Sequence, residues 1–154
     1  MKGILIAGVA VALGCATLPA CAALGSTPSW PDAQHTPGTR LMAAANNAAS
    51  FSVTTATLDN DTVIHEYVDA RGTVFAVSWR GPRIGSLDVL LGSYFPAWQK
   101  GLATMQASRG GGYGPVALRQ GDLVVETGGH MGALNGRAWL PQALPQGFDT
   151  RQIQ

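Results

Sequence analysis

Two alternating runs joined by a four-residue turn constrain this chain more than any other feature. Thr62 to Val68 and Thr73 to Trp79 flank Asp69-Ala70-Arg71-Gly72. Seven residues with a period of two mark a strand, because successive side chains point to opposite faces. Asp at the first turn position and Gly at the fourth suit a type I turn closed by a left-handed glycine, a three-residue loop with a bulge. That geometry pairs Asp69 with Thr73, Val68 with Val74 and Tyr67 with Phe75. One face then carries Val63, His65, Tyr67, Phe75, Val77 and Trp79, and the other carries Ile64, Glu66, Val68, Val74, Ala76 and Ser78. The first gathers the aromatics and is the expected core face.

The flanking segments extend the pattern. Phe51, Val53 and Thr55 alternate with Ser52, Thr54 and Ala56, a further strand that ends at the turn Asp59-Asn60-Asp61. After a loop over residues 80–85, Ser86 stands as a helix N-cap with Asp88 in the first turn. Leu87, Leu90, Leu91 and Tyr94 form one apolar stripe. Pro96 breaks that helix, and a second piece is expected from Ala97 to Ala107, with Trp98, Leu102 and Met105 on one side and a kink between the two. Arg109 to Pro115 is glycine-rich loop, Val116 to Leu118 and Leu123 to Glu126 read as strands, and Gly128 to Gly132 reads as another loop. Asn135-Gly136 is a hairpin signal before Arg137 to Leu140. Strands, then helix, then strands argue for an α+β fold: an antiparallel sheet of hairpins with a kinked helix packed on one face.

The amino end carries an address. Lys2 precedes an apolar run from Ile4 to Leu13, then Pro19 and the small residues Ala20-Cys21-Ala22-Ala23, the three-part layout of a secretory signal over residues 1–23. Cleavage after Ala22 or Ala23 is expected. Two other readings stay open. Leu18-Pro19-Ala20-Cys21 looks like a degenerate lipobox that would leave Cys21 lipidated at the new terminus, and the absence of charge between Lys2 and Asp32 allows a retained anchor. Both cysteines, Cys15 and Cys21, lie in the leader, so the remaining chain has neither disulfide nor thiol chemistry. It divides into a Pro- and Ala-rich lead (24–50) read as a flexible arm with a short helix over Leu41 to Ala49, an α+β domain (51–140) and an irregular tail (141–154). The whole chain is 46% hydrophobic and 12% charged with net charge +1, which excludes disorder and leaves no basic field for nucleic acid.

Several blocks carry a family resemblance: Val63-Ile64-His65-Glu66-Tyr67-Val68, Gly72 to Trp79 with Gly81-Pro82, Leu90-Leu91-Gly92-Ser93-Tyr94-Phe95, Gly128-Gly129-His130-Met131 and Gly136-Arg137-Ala138-Trp139-Leu140-Pro141. In these the chain resembles a family of small secreted proteobacterial proteins, domain of unknown function 2844. The resemblance covers nearly all of the chain after the leader and implies an envelope or secreted location. It supplies no activity, ligand or catalytic residue.

The residues themselves assemble no reaction. His65 and Glu66 are adjacent on a strand and face opposite ways, so they cannot serve one substrate atom; a half-buried histidine among aromatics and a solvent-side glutamate are expected. His35, His65 and His130 are dispersed without metal-ligand spacing, although Glu126 could join His130 across a loop. Ser86 and Ser93 lack the G-x-S-x-G elbow, and no G-K-[ST] follows the Gly110 to Gly114 loop. Neither metal nor cofactor is expected. Trp79, Arg80, Arg83, Tyr94 and Trp98 form the candidate ligand site, an aromatic and cationic shelf if exposed and plain core if buried, with His65 and His130 as further candidates. The expected function is a non-catalytic, exported binding module for an envelope protein or cell-surface polymer. The alternatives are a small periplasmic hydrolase using His65 or His130 and a lipid-anchored structural subunit.

Overall fold

The computed structural model describes residues 24–29, 51–83, 87–108 and 114–154, and the backbone of 34–37. The leader with Cys21, the alanine-rich stretch, Ser86 and most of the Gly110 to Gly114 loop lie outside the described residues. Among the described residues seven antiparallel strands form one sheet: β1 (Gln34–Pro37), β2 (Phe51–Thr57), β3 (Val63–Asp69), β4 (Val74–Gly81), β5 (Val116–Gln120), β6 (Leu123–His130) and β7 (Ala133–Trp139). Their spatial order is β1-β2-β3-β4-β7-β6-β5, two runs of hairpins that meet at β4 and β7. The helix lies between those runs, as α1 (Leu87–Leu91), a 3-10 turn (Gly92–Tyr94) and α2 (Phe95–Ser108). Pro96 sits in the first turn of α2, where its missing N–H costs nothing, so the expected break is a change of helix type. The fold is the α+β arrangement that the strand and helix order implied.

The turn at Asp69 forms as expected. Gly72 N donates to Asp69 O at 3.0 Å, Asp69 N donates to Thr73 O at 2.9 Å, and Gly72 has φ +83°. Val68 pairs with Val74, but Tyr67 pairs with Ala76 and not with Phe75, because a second bulge lies inside the strand. The extra residue, Phe75, turns to the same side as Tyr67 and Ala76. From there on every β4 side chain falls on the face opposite to the one expected. The predicted single aromatic face is therefore corrected. Ile64, Val68, Val74, Val77 and Trp79 pack under Leu90 and Leu91 of α1, whereas Tyr67, Phe75 and Ala76 pack with Trp139 on the other side. A strand cannot slip by one residue without exchanging its faces, and the bulge makes that slip in mid-strand.

Both faces are covered, which is why Val74 to Trp79 are all buried. The carboxyl-terminal tail covers the second face with short 3-10 turns (Pro141–Ala143 and Thr150–Gln152), placing Phe148 and Ile153 against Tyr67 and Phe75. The lead is no free arm in its described parts. Leu24 is 1% exposed, Gly25 N donates to Val74 O and Val74 N to Ser26 O, each at 2.8 Å, and β1 pairs with β2. An apolar face crossed by one helix leaves strand positions uncovered, and Leu24 fills one of them.

The β6–β7 segment is also corrected. Gly128 to His130 belong to β6, and the hairpin turns at Met131-Gly132, where Gly132 has φ +84°. Asn135-Gly136 lies inside β7, opposite Arg80 and Trp79 of β4. Gly136 is needed there because the Trp79 indole occupies the place of its Cβ. A glycine can mark a close approach as well as a turn, and here packing decides.

Candidate functional site

The seven candidate residues do not converge. Trp79 is 2% exposed in the helix-side core, and Tyr94 and Trp98 pack against that same core from the helix. Trp98 stacks on Phe95 with ring centroids 5.7 Å apart. Arg80 follows Trp79 in the strand and so lies on the opposite, tail-side face, exposed; Arg83 is exposed in the loop beyond. Burial thus makes the aromatics core and leaves the arginines in solvent, so the shelf does not assemble. His65 is half-buried on the tail side, its Nδ1 2.9 Å from the Thr55 hydroxyl rather than among the aromatics, and desolvation holds its pKa below the usual value. His130 is exposed near the β6–β7 turn, its Nδ1 3.1 Å from Met131 O. Glu126 does not join it. That carboxylate is held by Arg137, with Nε and Nη2 at 2.8 and 2.6 Å. Among the described residues no three His, Cys, Asp or Glu gather to hold a metal, and no helix is long and apolar enough to cross a membrane.

What the fold builds instead is a cavity of about 400 Å³ on the tail-side face. Arg80, Asn135, Gly128, Glu126 and Arg137 line it from β4, β7 and β6, and Ile153 and Gln154 close it from the tail. Pairing explains the grouping, because Arg80, Asn135 and Gly128 stand in one row across the three strands. Ser78, Arg137 and Glu126 stand in the next row. The second row is satisfied internally: Arg137 also donates to Thr150 O at 3.1 Å and lies 5.4 Å from the Trp139 ring centroid, and Ser78 donates to Gln154 O at 2.6 Å. In the first row, no partner engages the Arg80 guanidinium among the described residues. Of the expected site residues only Arg80 and Trp79 reach this cavity. Gly128 and Asn135 do not stand among the expected site residues, because glycine and Asn-Gly in sequence point to turns. The alternation Glu126, Gly128, His130 opposite Asn135, Arg137 was the signal that could have found them.

Glu66 is the other correction. It faces the helix side, is 1% exposed, and its carboxylate accepts Ser29 N at 3.0 and 3.2 Å. Burial raises its pKa above the ordinary 4.5, and the Ser29 N–H offsets part of that. A carboxyl whose folded pKa is raised binds its proton more tightly folded than unfolded. The charge therefore costs stability at neutral pH, and the cost disappears as pH falls through the folded pKa towards 4.5. Glu66→Gln keeps an acceptor for Ser29 and places an amide beside the Thr54 hydroxyl, a buried cross-strand neighbour without a partner among the described residues. Melting curves across pH should show the variant more stable near neutrality, with the gain shrinking on acidification. A variant less stable at every pH would contradict the sign.

The family model for proteins of unknown function, DUF2844, matches residues 20–153. The chain belongs to the DUF2844 family. The matched span takes in every strand, the helix and nearly all of the tail, so the two covered faces and every residue lining the tail-side cavity except Gln154 fall within the DUF2844 region. No curated protein and no solved structure matches the chain.

Proposed function

We propose that this DUF2844 protein is an exported, non-catalytic binding module of the cell envelope, with its ligand seated in the cavity at the end of the tail-side face. The observation that carries the reading is the exposed Arg80 guanidinium, engaged by no partner among the described residues, in a cavity whose other charged side chains, Glu126 and Arg137, pair with each other. A concave site with few polar groups left free suits recognition. Its carboxylate is committed to Arg137, whose guanidinium also donates to Thr150 O of the tail, and His65 is committed to Thr55. Export rests on the leader pattern, and the buried Leu24 agrees with processing no further than Ala23. Leu24 N lies 3.2 Å from Leu90 O and its side chain is core, so a cut beyond it would cost about 2–4 kcal/mol. Mass spectrometry of the envelope-extracted protein should find a terminus at or before Leu24, and a lipid on Cys21 would identify the anchored alternative.

The binding reading is tested by titrating the isotope-labelled protein with fragmented envelope polymers while following backbone amides. Saturable shifts centred on Arg80, Gly128 and Asn135, with the fragment recovered chemically unchanged, are expected. Recovery of a cleaved fragment, lost on His65→Ala or His130→Ala, would establish the hydrolase instead.

A further inference from the structure

The glycines of the β6–β7 hairpin separate into two kinds. At Gly136 an added Cβ would run into the Trp79 ring, and at Gly129, with φ +100°, it would meet the Ala133 carbonyl. The fold needs glycine at both. At Gly128 an added Cβ would meet only Asn135 Oδ1, at an ordinary 3.5 Å, and no positive φ is required. Glycine in a strand interior weakens the strand, so at Gly128 the missing side chain has a cost and no packing return. What its absence does create is a bare strip of backbone inside the cavity, in the same row as Asn135 and Arg80.

From this row the geometry points to an acidic sugar, a hexuronate, as the ligand class. The inference rests on the binding reading above. Each of the three positions contributes one element of recognition. The guanidinium of Arg80 is a planar fork matched to a carboxylate. The Asn135 amide both donates and accepts, as neighbouring hydroxyls require. The bare backbone at Gly128 lets a ring lie flat against the sheet where any side chain would hold it off. Strands are about 4.8 Å apart, so the row from Arg80 to Gly128 spans about 10 Å, the reach of one sugar ring plus an arginine side chain. The cavity of about 400 Å³ leaves space for one or two such rings. Glu126, the acid facing the same space, does not repel the ligand carboxylate, because Arg137 holds it at 2.6 Å and cancels its charge.

The probes are D-glucuronate, D-glucose as the same ring without the carboxylate, acetate as the carboxylate without the ring, and alginate as a uronate polymer. Glucuronate should shift the amides of Arg80, Gly128 and Asn135 saturably, with glucose and acetate each weaker by about ten-fold or more. Alginate binding more tightly than the monomer identifies the polymer as the source; equal affinity per ring identifies the free sugar. Arg80→Gln, at an exposed position, should weaken glucuronate by about ten-fold and leave glucose unchanged. Gly128→Leu should abolish binding of both sugars without lowering the melting temperature. Glucose binding as well as glucuronate, or acetate binding as well, overturns the acidic-sugar assignment, as does glucuronate binding that survives Gly128→Leu. If glucuronate fails while envelope fragments still shift these amides, the ligand class falls and the binding reading stands. If both fail, both fall.

Discussion

Phe75→Ala is expected to cost about 3–5 kcal/mol, the largest loss of any single truncation on the tail-side face. Phe75 is 0% exposed and its ring meets three others: Phe148 at 4.9 Å, Phe51 at 6.2 Å and Tyr67 at 6.3 Å between centroids. Two of these meetings are edge-on, near 80°, the orientation that adds to simple burial. As the bulged residue, Phe75 also holds the register by which Tyr67 faces Ala76. Its loss should therefore loosen the β3–β4 pairing as well as leave a void. Phe148→Ala removes one of the same contacts from the half-buried tail and should cost less than half as much. Urea denaturation of the two variants tests the ordering. A Phe75→Ala cost below about 1 kcal/mol would show that the tail, and not the bulge, organises this face.

The β3–β4 hairpin shows how far the sequence could be read. Its turn was legible residue by residue, because Asp69 and Gly72 have local reasons for being where they are. The bulge at Phe75 was not legible. Alternation across Thr73 to Trp79 is equally consistent with either face being buried when both are, and in a central strand covered on both sides even the polar Ser78 is buried and does not mark a solvent face. The same double covering explains Glu66. A charged residue in a strand is ordinarily the solvent side, but here Leu24 to Ser29 fold over that side and supply a backbone N–H. No local pattern in a Pro- and Ser-rich lead announces such a contact. The helix was legible from the Leu87, Leu90, Leu91, Tyr94 spacing, which acts within a few turns, but its break falls at Gly92–Tyr94, ahead of the Pro96 expected to make it. The cavity depends on how Ile153 and Gln154 of the tail lie against β4, β6 and β7. That long-range fact left only Arg80 and Trp79 in common between the expected site and the observed one.

Gly136→Ala carries the second large effect, about 3 kcal/mol, although it adds one methyl group. An Asn-Gly pair in a turn would accept alanine at modest cost. Within β7 the new Cβ would enter the space of the Trp79 indole, also crowding the Glu126 carbonyl at 3.0 Å. Neither side can yield easily: Trp79 is 2% exposed beneath α1, and Gly136 is tied between Trp79 and Thr127 by the pairing on either side. A double-mutant cycle isolates the clash. Trp79→Phe removes the fused ring that reaches Gly136, and it breaks no hydrogen bond, because Trp79 Nε1 has no partner among the described residues. By itself it should destabilise through lost packing. Combined with Gly136→Ala it should cost less than the sum of the two, with a coupling of about 1–2 kcal/mol. Strict additivity would mean that the indole and the β7 backbone are not in contact. The alternation that places Arg80, Asn135 and Gly128 in one row on the opposite face would then lose its anchor, because Trp79 opposite Gly136 and Arg80 opposite Asn135 are successive steps of one ladder.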